Sequence, residues 1–351
     1  MLLMVTMVFF IASFSLEGGF FADLFGIKSK KDDGKIKIGF LLKTMKESRY
    51  KKDKKYFIDA AYKAGADEVI FASADNNEKQ QLEKLKMMIK KGIDILVIQA
   101  VDTSNIDKML KEIHNADIKI ISYSNLILNS PINLNIMPDI RMIGKEQGEA
   151  MLDWFAAVKG EIKGNVVLIQ GDPDDSSVDM ESAEILKIIE KNPGLNLVLK
   201  KKHINWSIEE AEKTATEVLE EYNNIDVFIC NNSGMARGVL KALKERGLDD
   251  IRKVFVAGFD ADLENIELIL NRKQAVEIFN DVGYLAQIAA ESAVKMVKNK
   301  NAPVEELFEI SQHISNGYAE IPTIIGKVRR VTVDNIDLLI EKGYYLEEEI
   351  Y

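Results

Sequence analysis

The sequence predicts an α/β protein of two doubly wound, parallel-sheet lobes joined by a hinge that the chain crosses several times. Three observations carry this expectation. The chain has 351 residues, more than a single compact domain usually holds. From Lys35 onward, short β-rich runs alternate with helical patterns, as in βαβ units whose parallel sheet is covered on both faces. The string of such units is also too long for one sheet of ordinary size.

Strands are predicted over residues 37–42, 68–73, 95–99, 118–123, 165–170, 196–201, 226–231, 254–258 and 274–279. Between them lie amphipathic stretches such as 53–64 and 78–91, the latter with Leu82, Leu85, Met88 and Ile89 on one helical face. Right-handed crossovers then place helices on both sides of each sheet. A break is expected at residues 135–140, NIMPDI, after which a helix over 144–158 opens a second βαβ series. Beyond Phe279 the pattern reads as a helix over 284–298, an extended run over 309–314 and a last helix over 335–342, a tail that returns across the junction. The expected division is a leader and linker over 1–34, an N-terminal lobe of 35–138 with 281–315, and a C-terminal lobe of 139–280 with 316–351.

Composition narrows the function. Hydrophobic residues make up 47% and charged residues 29%, with 6 prolines, as in an ordinary globular chain. A formal net charge of −10 argues against nucleic-acid binding, which needs a basic footprint to release counterions. A neutral small ligand fits better. The lone cysteine, Cys230, lies in an apolar run and reads as a small buried hydrophobe. His114, His203 and His313 are scattered without metal-ligand spacing, so neither a metal site nor a cofactor is expected.

Residues 1–27 are a different material. MLLMVTMVFFIASFS followed by LEGGFFADLFGI reads as an export signal, which places the protein in the periplasm or at the cell surface. A basic segment ahead of the apolar run is missing, so a retained membrane anchor is the alternative to a cleaved signal. The stretch is long enough to span a bilayer, which takes about 20 apolar residues. Against that, Lys28, Lys30 and Lys31 stand on the wrong side for an exported carboxyl end. No cysteine follows for a lipoprotein anchor, and 29–34 reads as a polar linker.

Seven segments, KIGFLLKTMKESRYKKDKKYF, ADNNEKQQLEKLKMMIKKGIDILVIQAVD, IKIISYSNLI, GDPDDS, INWSIEEA, GFDADLENIELI and VRRVTVDNID, occur in an order and spacing that resemble periplasmic xylose-binding proteins. The resemblance runs from about Ile36 to Ile336 and implies the type I periplasmic-binding fold, with a sugar held between the lobes. It places Tyr50 and Trp206 on opposite faces of the sugar ring; by themselves, the two aromatics read as core and lobe packing. It matches Arg49, Asp175, Asn232 and Asp260 to polar sugar-binding positions. Elsewhere the chain departs from the family. Ser124 and Asn125 replace an Asp-Arg pair, Ser176 and Ser177 two asparagines, Ser182 an arginine and Asn280 a hinge lysine. Charge-assisted hydrogen bonds contribute about 1.5–3 kcal/mol against about 1 for neutral ones, so these changes weaken a xylose grip or fit a different sugar. The ligand-binding set expected is Arg49, Tyr50, Ser124, Asn125, Asp175, Ser177, Trp206, Asn232, Asp260 and Asn280.

The resemblance therefore implies an extracytoplasmic solute-binding protein that closes on a monosaccharide, a xylose-like pentose or related sugar, and delivers it to the permease of an ABC importer. The alternative is a membrane-tethered sugar receptor that docks on a sensor histidine kinase. An enzyme is not expected. Asp172, Asp174, Asp175 and Asp179 cluster after one strand and could be read as an acid–base pair. A helix entrance, where aspartate caps and meets the helix dipole, explains them more economically. No G-x-S-x-G elbow, P-loop or H-E-x-x-H occurs. Residues 28–35 also hold no helix-turn-helix, which argues against a repressor.

Overall fold

Strand β1 (Lys37–Leu42) is buried from Ile38 onward, as a strand covered on both faces must be. Its side chains alternate between two cores. Ile38, Phe40 and Leu42 face one apolar cluster, and Leu41 faces the other. It pairs in parallel with β2 (Glu68–Ser73) and with β3 (Ile95–Ile98). Beyond β3 come β4 (Lys119–Tyr123), β5 (Leu134–Pro138), β12 (Glu320–Gly326) and the antiparallel edge strand β11 (Gln312–Ser315). The second sheet runs β7 (Leu195–Lys202), β6 (Gly164–Gln170), β8 (Val227–Cys230), β9 (Phe255–Phe259), β10 (Val276–Asn280) and the antiparallel β13 (Val328–Val331). This computed structural model describes residues 34–47 and 49–351. The expected export signal or anchor over 1–27 lies outside the described residues.

In the first lobe, α1 (Arg49–Ala64) and α9 (Val282–Lys298) pack on one face, where Phe57 of α1 stacks on Phe40 and Tyr123 joins the same cluster. Helices α2 (Glu78–Lys90) and α3 (Asp107–Asn115) bury Leu85, Met88, Met109 and Ile113 in the cluster on the other face. In the second lobe, α6 (Ile208–Glu221) and α7 (Ser233–Glu245) share a core with Phe228 and Cys230. Helices α4 (Ile140–Trp154) and α5 (Ser176–Lys191) pack so closely that a Cβ on Gly144 would lie 2.1 Å from the carbonyl oxygen of Glu181. Glycine is what lets them meet. A π-helical turn, Phe155–Lys159, extends α4. Helix α8 (Leu263–Leu270) and the short helices α11 (Asp337–Glu341) and α12 (Glu347–Ile350) gather around Phe279, Tyr344 and Tyr345. The remaining short helix, α10 (Val304–Leu307), follows α9.

Among the described residues, the chain passes between the sheets three times, at Asp139, Asp281 and Lys327. At the first two crossings the aspartate caps the next helix, accepting from the backbone N–H of Met142 and of Tyr284. Several sequence expectations change here. The segment read as a break is the buried strand β5, which carries Pro138 at its last position. Residues 320–326, expected with the C-terminal lobe, form β12, which pairs in parallel with β5 in the first sheet. The last crossing therefore falls at Lys327. Helix α1 also starts at Arg49 rather than at residue 53, which makes Arg49 and Tyr50 helical.

Candidate ligand-binding site

Both sheets reverse strand order at one place. In the first, β1 lies between β2 and β3; in the second, β6 lies between β7 and β8. Ligands of open α/β sheets bind outside the carboxyl ends of strands at such switch points. Lys43 follows β1, Gln99 follows β3 and Asn231 follows β8, and all three line one cavity. The site is thus a product of topology before it is a product of side chains.

Most of the expected residues meet there. Arg49, Tyr50 and Ser124 line the cavity from the first lobe, and Asp175, Ser177, Trp206, Asn232 and Asp260 from the second. Arg49 organises its half. The guanidinium donates to Oδ1 of Asp260 at 2.9 Å, to the Ser124 hydroxyl at 2.9 Å and to Asp53 at 3.4 Å. Asp260 and Ser124 adopt positive φ values of 108° and 68°, uncommon for residues with a side chain. Such backbone costs about 1–3 kcal/mol and persists where surrounding structure enforces it, often at binding sites. Burial pushes the Asp260 carboxyl up to about 7 against the pull of Arg49.

Two expected residues do not line the cavity. The turn after β4 presents Ser124 to it and directs Asn125 the other way, where its amide donates to the Ala100 carbonyl at 3.1 Å. Consecutive residues in that turn do not both face the cleft. Asn280, the last residue of β10, is buried with both polar atoms of its side chain unpartnered among the described residues, and it is also absent from the lining.

Several lining residues double as structural parts. Asp175 caps α5, its Oδ1 accepting from the Ser177 backbone at 3.1 Å and hydroxyl at 2.7 Å. Asn232 caps α7 by accepting from Met235 N–H at 2.8 Å, which leaves its NH2 as the group to offer the cavity. The rest of the acidic cluster is dispersed: Asp172 accepts from the backbone of Asp174, and Asp179 pairs with Lys202. Ser176 holds the lobes together from α5, donating its hydroxyl to the Leu126 carbonyl at 2.7 Å. Ser182 stays within its own lobe, accepting from Gln170 at 2.8 Å.

Trp206 sits in a short 3₁₀ turn, Ile204–Trp206, where Asn205 and Trp206 both take positive φ. Its six-membered ring lies against Gly171, where an added Cβ would come within 2.4 Å of it. Among the lining residues not expected from the sequence, Glu47, Gln99 and Asn231 included, Lys43 reaches across the cleft. Its ammonium lies 2.6 Å from Oδ2 of Asp175, across the cleft, and both side chains are buried. Burial opposes its charge, yet Asp175, Tyr50 and Glu47 together hold it above the ordinary lysine range. A lone lysine after an apolar strand reads as a surface residue; its place just past the switch-point strand was the available signal. Among the described residues, no helix is long and apolar enough to cross a membrane.

The family profile described as "Periplasmic binding protein domain" matches residues 38–301. D-xylose-binding periplasmic proteins of Haemophilus influenzae and Escherichia coli are each 28% identical to the chain, over 90% of it and 92% of their own lengths. The solved structure of an ABC transporter solute binding protein from Clostridium phytofermentans, with bound β-D-glucose, matches with a TM-score of 0.78 at 25% identity, covering 90% of this chain and 100% of that one. Two doubly wound sheets facing a cleft at their switch points, together with a profile match over most of the length, show that the chain belongs to the periplasmic binding protein family and is a binding protein, not an enzyme.

Proposed function

We propose that the protein is exported, binds a monosaccharide in the cleft between its lobes and delivers it to an ABC importer. One observation carries this reading. Among the described residues, three buried polar atoms of residues lining the cavity have no partner: the acceptors Glu47 Oε2 and Gln99 Oε1 and the donor Trp206 Nε1. An unpartnered buried polar group costs about 1–3 kcal/mol. Hydroxyl groups answer all three, because each both donates and accepts. The sugars named for the relatives and for the solved neighbour, xylose and glucose, carry several hydroxyls around a ring with apolar C–H faces. Tyr50 and Trp206 supply flat apolar surfaces for those faces, Arg49 and the amide of Asn232 supply donors, and Asp175 and Asp260 supply acceptors.

A calorimetric and thermal-shift panel of pentoses and hexoses tests the reading. A ligand that binds only the folded form raises its stability, by about 2.7 kcal/mol at a hundredfold excess over Kd. At least one sugar is expected to raise the melting temperature, and Trp206→Ala to abolish that response. A panel without any response, or a Trp206→Ala variant with unchanged affinity, overturns the assignment.

A further inference from the structure

The Lys43 ammonium crosses the cleft and lands where the sugar reading places a ligand. Its Nζ is 2.6 Å from Asp175 Oδ2, 132 residues away on the other lobe, and 5.0 Å from the centre of the Trp206 ring. A carboxylate beside an aromatic face is a subsite for a cation. Here the chain's own lysine fills it. The other carboxylate oxygen of Asp175 is committed to Ser177 in the helix cap, so Oδ2 is the atom left for a ligand, and Lys43 holds it. Both groups are buried, so solvent screens the pair little. Burial raises the Asp175 pKa, but Lys43 and Ser177 outweigh it and keep the carboxyl below its usual range.

We propose that Lys43 is the specificity-setting residue of the cleft: an internal ligand that occupies the Asp175–Trp206 subsite and must leave before a monosaccharide is held there. This rests on the sugar-binding reading above and deepens it. The displaced ammonium has a destination. Glu47 lines the same cavity four residues further along the chain, and its Oε2, buried without a partner among the described residues, has lone pairs for both the ammonium and a sugar hydroxyl. Exchanging Asp175 for Glu47 keeps the lysine paired within its own lobe and frees both the carboxylate oxygen and the indole face. A sugar that binds is then one whose hydroxyls satisfy Asp175 well enough to replace an ion pair. A sugar without a hydroxyl at that position cannot compete. The same pair joins the two lobes directly, so its loss favours separation of the lobes.

The test uses the full chain with Lys43→Met, which keeps the length and apolar stem of the side chain, and with Asp175→Asn, which keeps the helix cap and removes the charge. D-xylose and D-glucose are titrated by calorimetry into wild type and K43M, and small-angle scattering measures the radius of gyration of all three proteins without sugar. K43M is expected to bind at least one of the two sugars tenfold or more tightly than wild type, and both variants to be less compact than wild type. Equal or weaker sugar binding by K43M, with wild type still binding, overturns the proposal while the sugar-binding function stands. Absence of any sugar binding by wild type and K43M overturns both. Should K43M fail to fold, the scattering of D175N decides: a radius of gyration equal to that of wild type overturns the lysine bridge.

Discussion

Arg49 and Asp260 are 211 residues apart in the chain and 2.9 Å apart across the cleft. The same guanidinium faces Asp53, so it neutralises two buried carboxylates at once. Removing it leaves both exposed to the full cost of burial. Breaking a buried pair by removing one partner costs about 3–5 kcal/mol. Arg49→Met is therefore expected to lower the urea-derived stability by that amount, seen as a lower midpoint with an unchanged slope. Asp260→Asn is expected to cost less, because burial already holds that carboxyl near neutrality. Equal losses in the two variants would contradict this account.

Glu277 gives the fold a pH dependence with a definite sign. The buried carboxyl of β10 accepts from the Ser233 hydroxyl at 2.7 Å and from the Ala261 backbone at 3.1 Å, with Gln274 as a third donor. Burial pushes its pKa from 4.5 up to about 8, against those hydrogen bonds. The folded protein thus keeps a proton that the unfolded chain releases. Native stability falls as pH rises from about 4.5 towards 8, by up to about 1.4 kcal/mol per pH unit, and levels off above. Glu277→Gln is expected to flatten urea-derived stability over that window, so that its deficit relative to wild type shrinks as pH rises. Parallel curves for the two proteins would show that Glu277 is not the titrating group.

What the sequence discloses follows from what is local. The periods of β1 and α2 are readable because each element buries a regular face. Strands β5 and β12 escape because Pro138 ends one, while the other contains Pro322 and ends at Gly326. Only their mutual pairing inside the first sheet reveals them. At the site, Arg49, Asp260 and Trp206 come from resemblance to a family, since no pattern in this chain joins residues so far apart. Lys43 shows in the sequence only its place just past β1; it takes its meaning from Asp175, which only the folded chain brings beside it. Asn125 fails for the opposite reason, because a turn with Ser124 at φ 68° separates the directions of two neighbours.

Gly171 governs Trp206. An added Cβ would stand 2.4 to 2.6 Å from three atoms of the indole, far inside van der Waals contact. The ring is partly buried beside a cavity, so it is expected to shift rather than unfold the lobe. Gly171→Ala should weaken sugar binding at least tenfold with little change in melting temperature. Trp154 and Trp206 are the two tryptophans of the chain. In a Trp154→Phe background, the emission maximum of Trp206 is therefore expected to move with the same substitution. An unmoved maximum with unchanged affinity would show that residue 171 does not set the ring.

Lys52 ties α1 to the carboxyl-terminal tail. Its ammonium donates to the Tyr344 carbonyl and lies 3.5 and 3.7 Å from the ring centres of Tyr344 and Tyr345. Those tyrosines belong to the second lobe: Tyr344 packs edge-on against Phe279, and Tyr345 donates to the Ala261 carbonyl at 3.0 Å. Burial lowers the Lys52 pKa to about 8, and the nearby Glu349 and Asp262 only partly offset it. A lysine with a lowered pKa sheds its proton in the folded state while the unfolded chain keeps it, so native stability gains as pH rises from about 8 to 10.5. The melting temperature of wild type relative to Lys52→Met is therefore expected to rise over that range. Carbon-13 NMR of dimethylated lysines should show one amine titrating near 8. If every lysine instead titrates above 10, burial does not desolvate the Lys52 ammonium in solution.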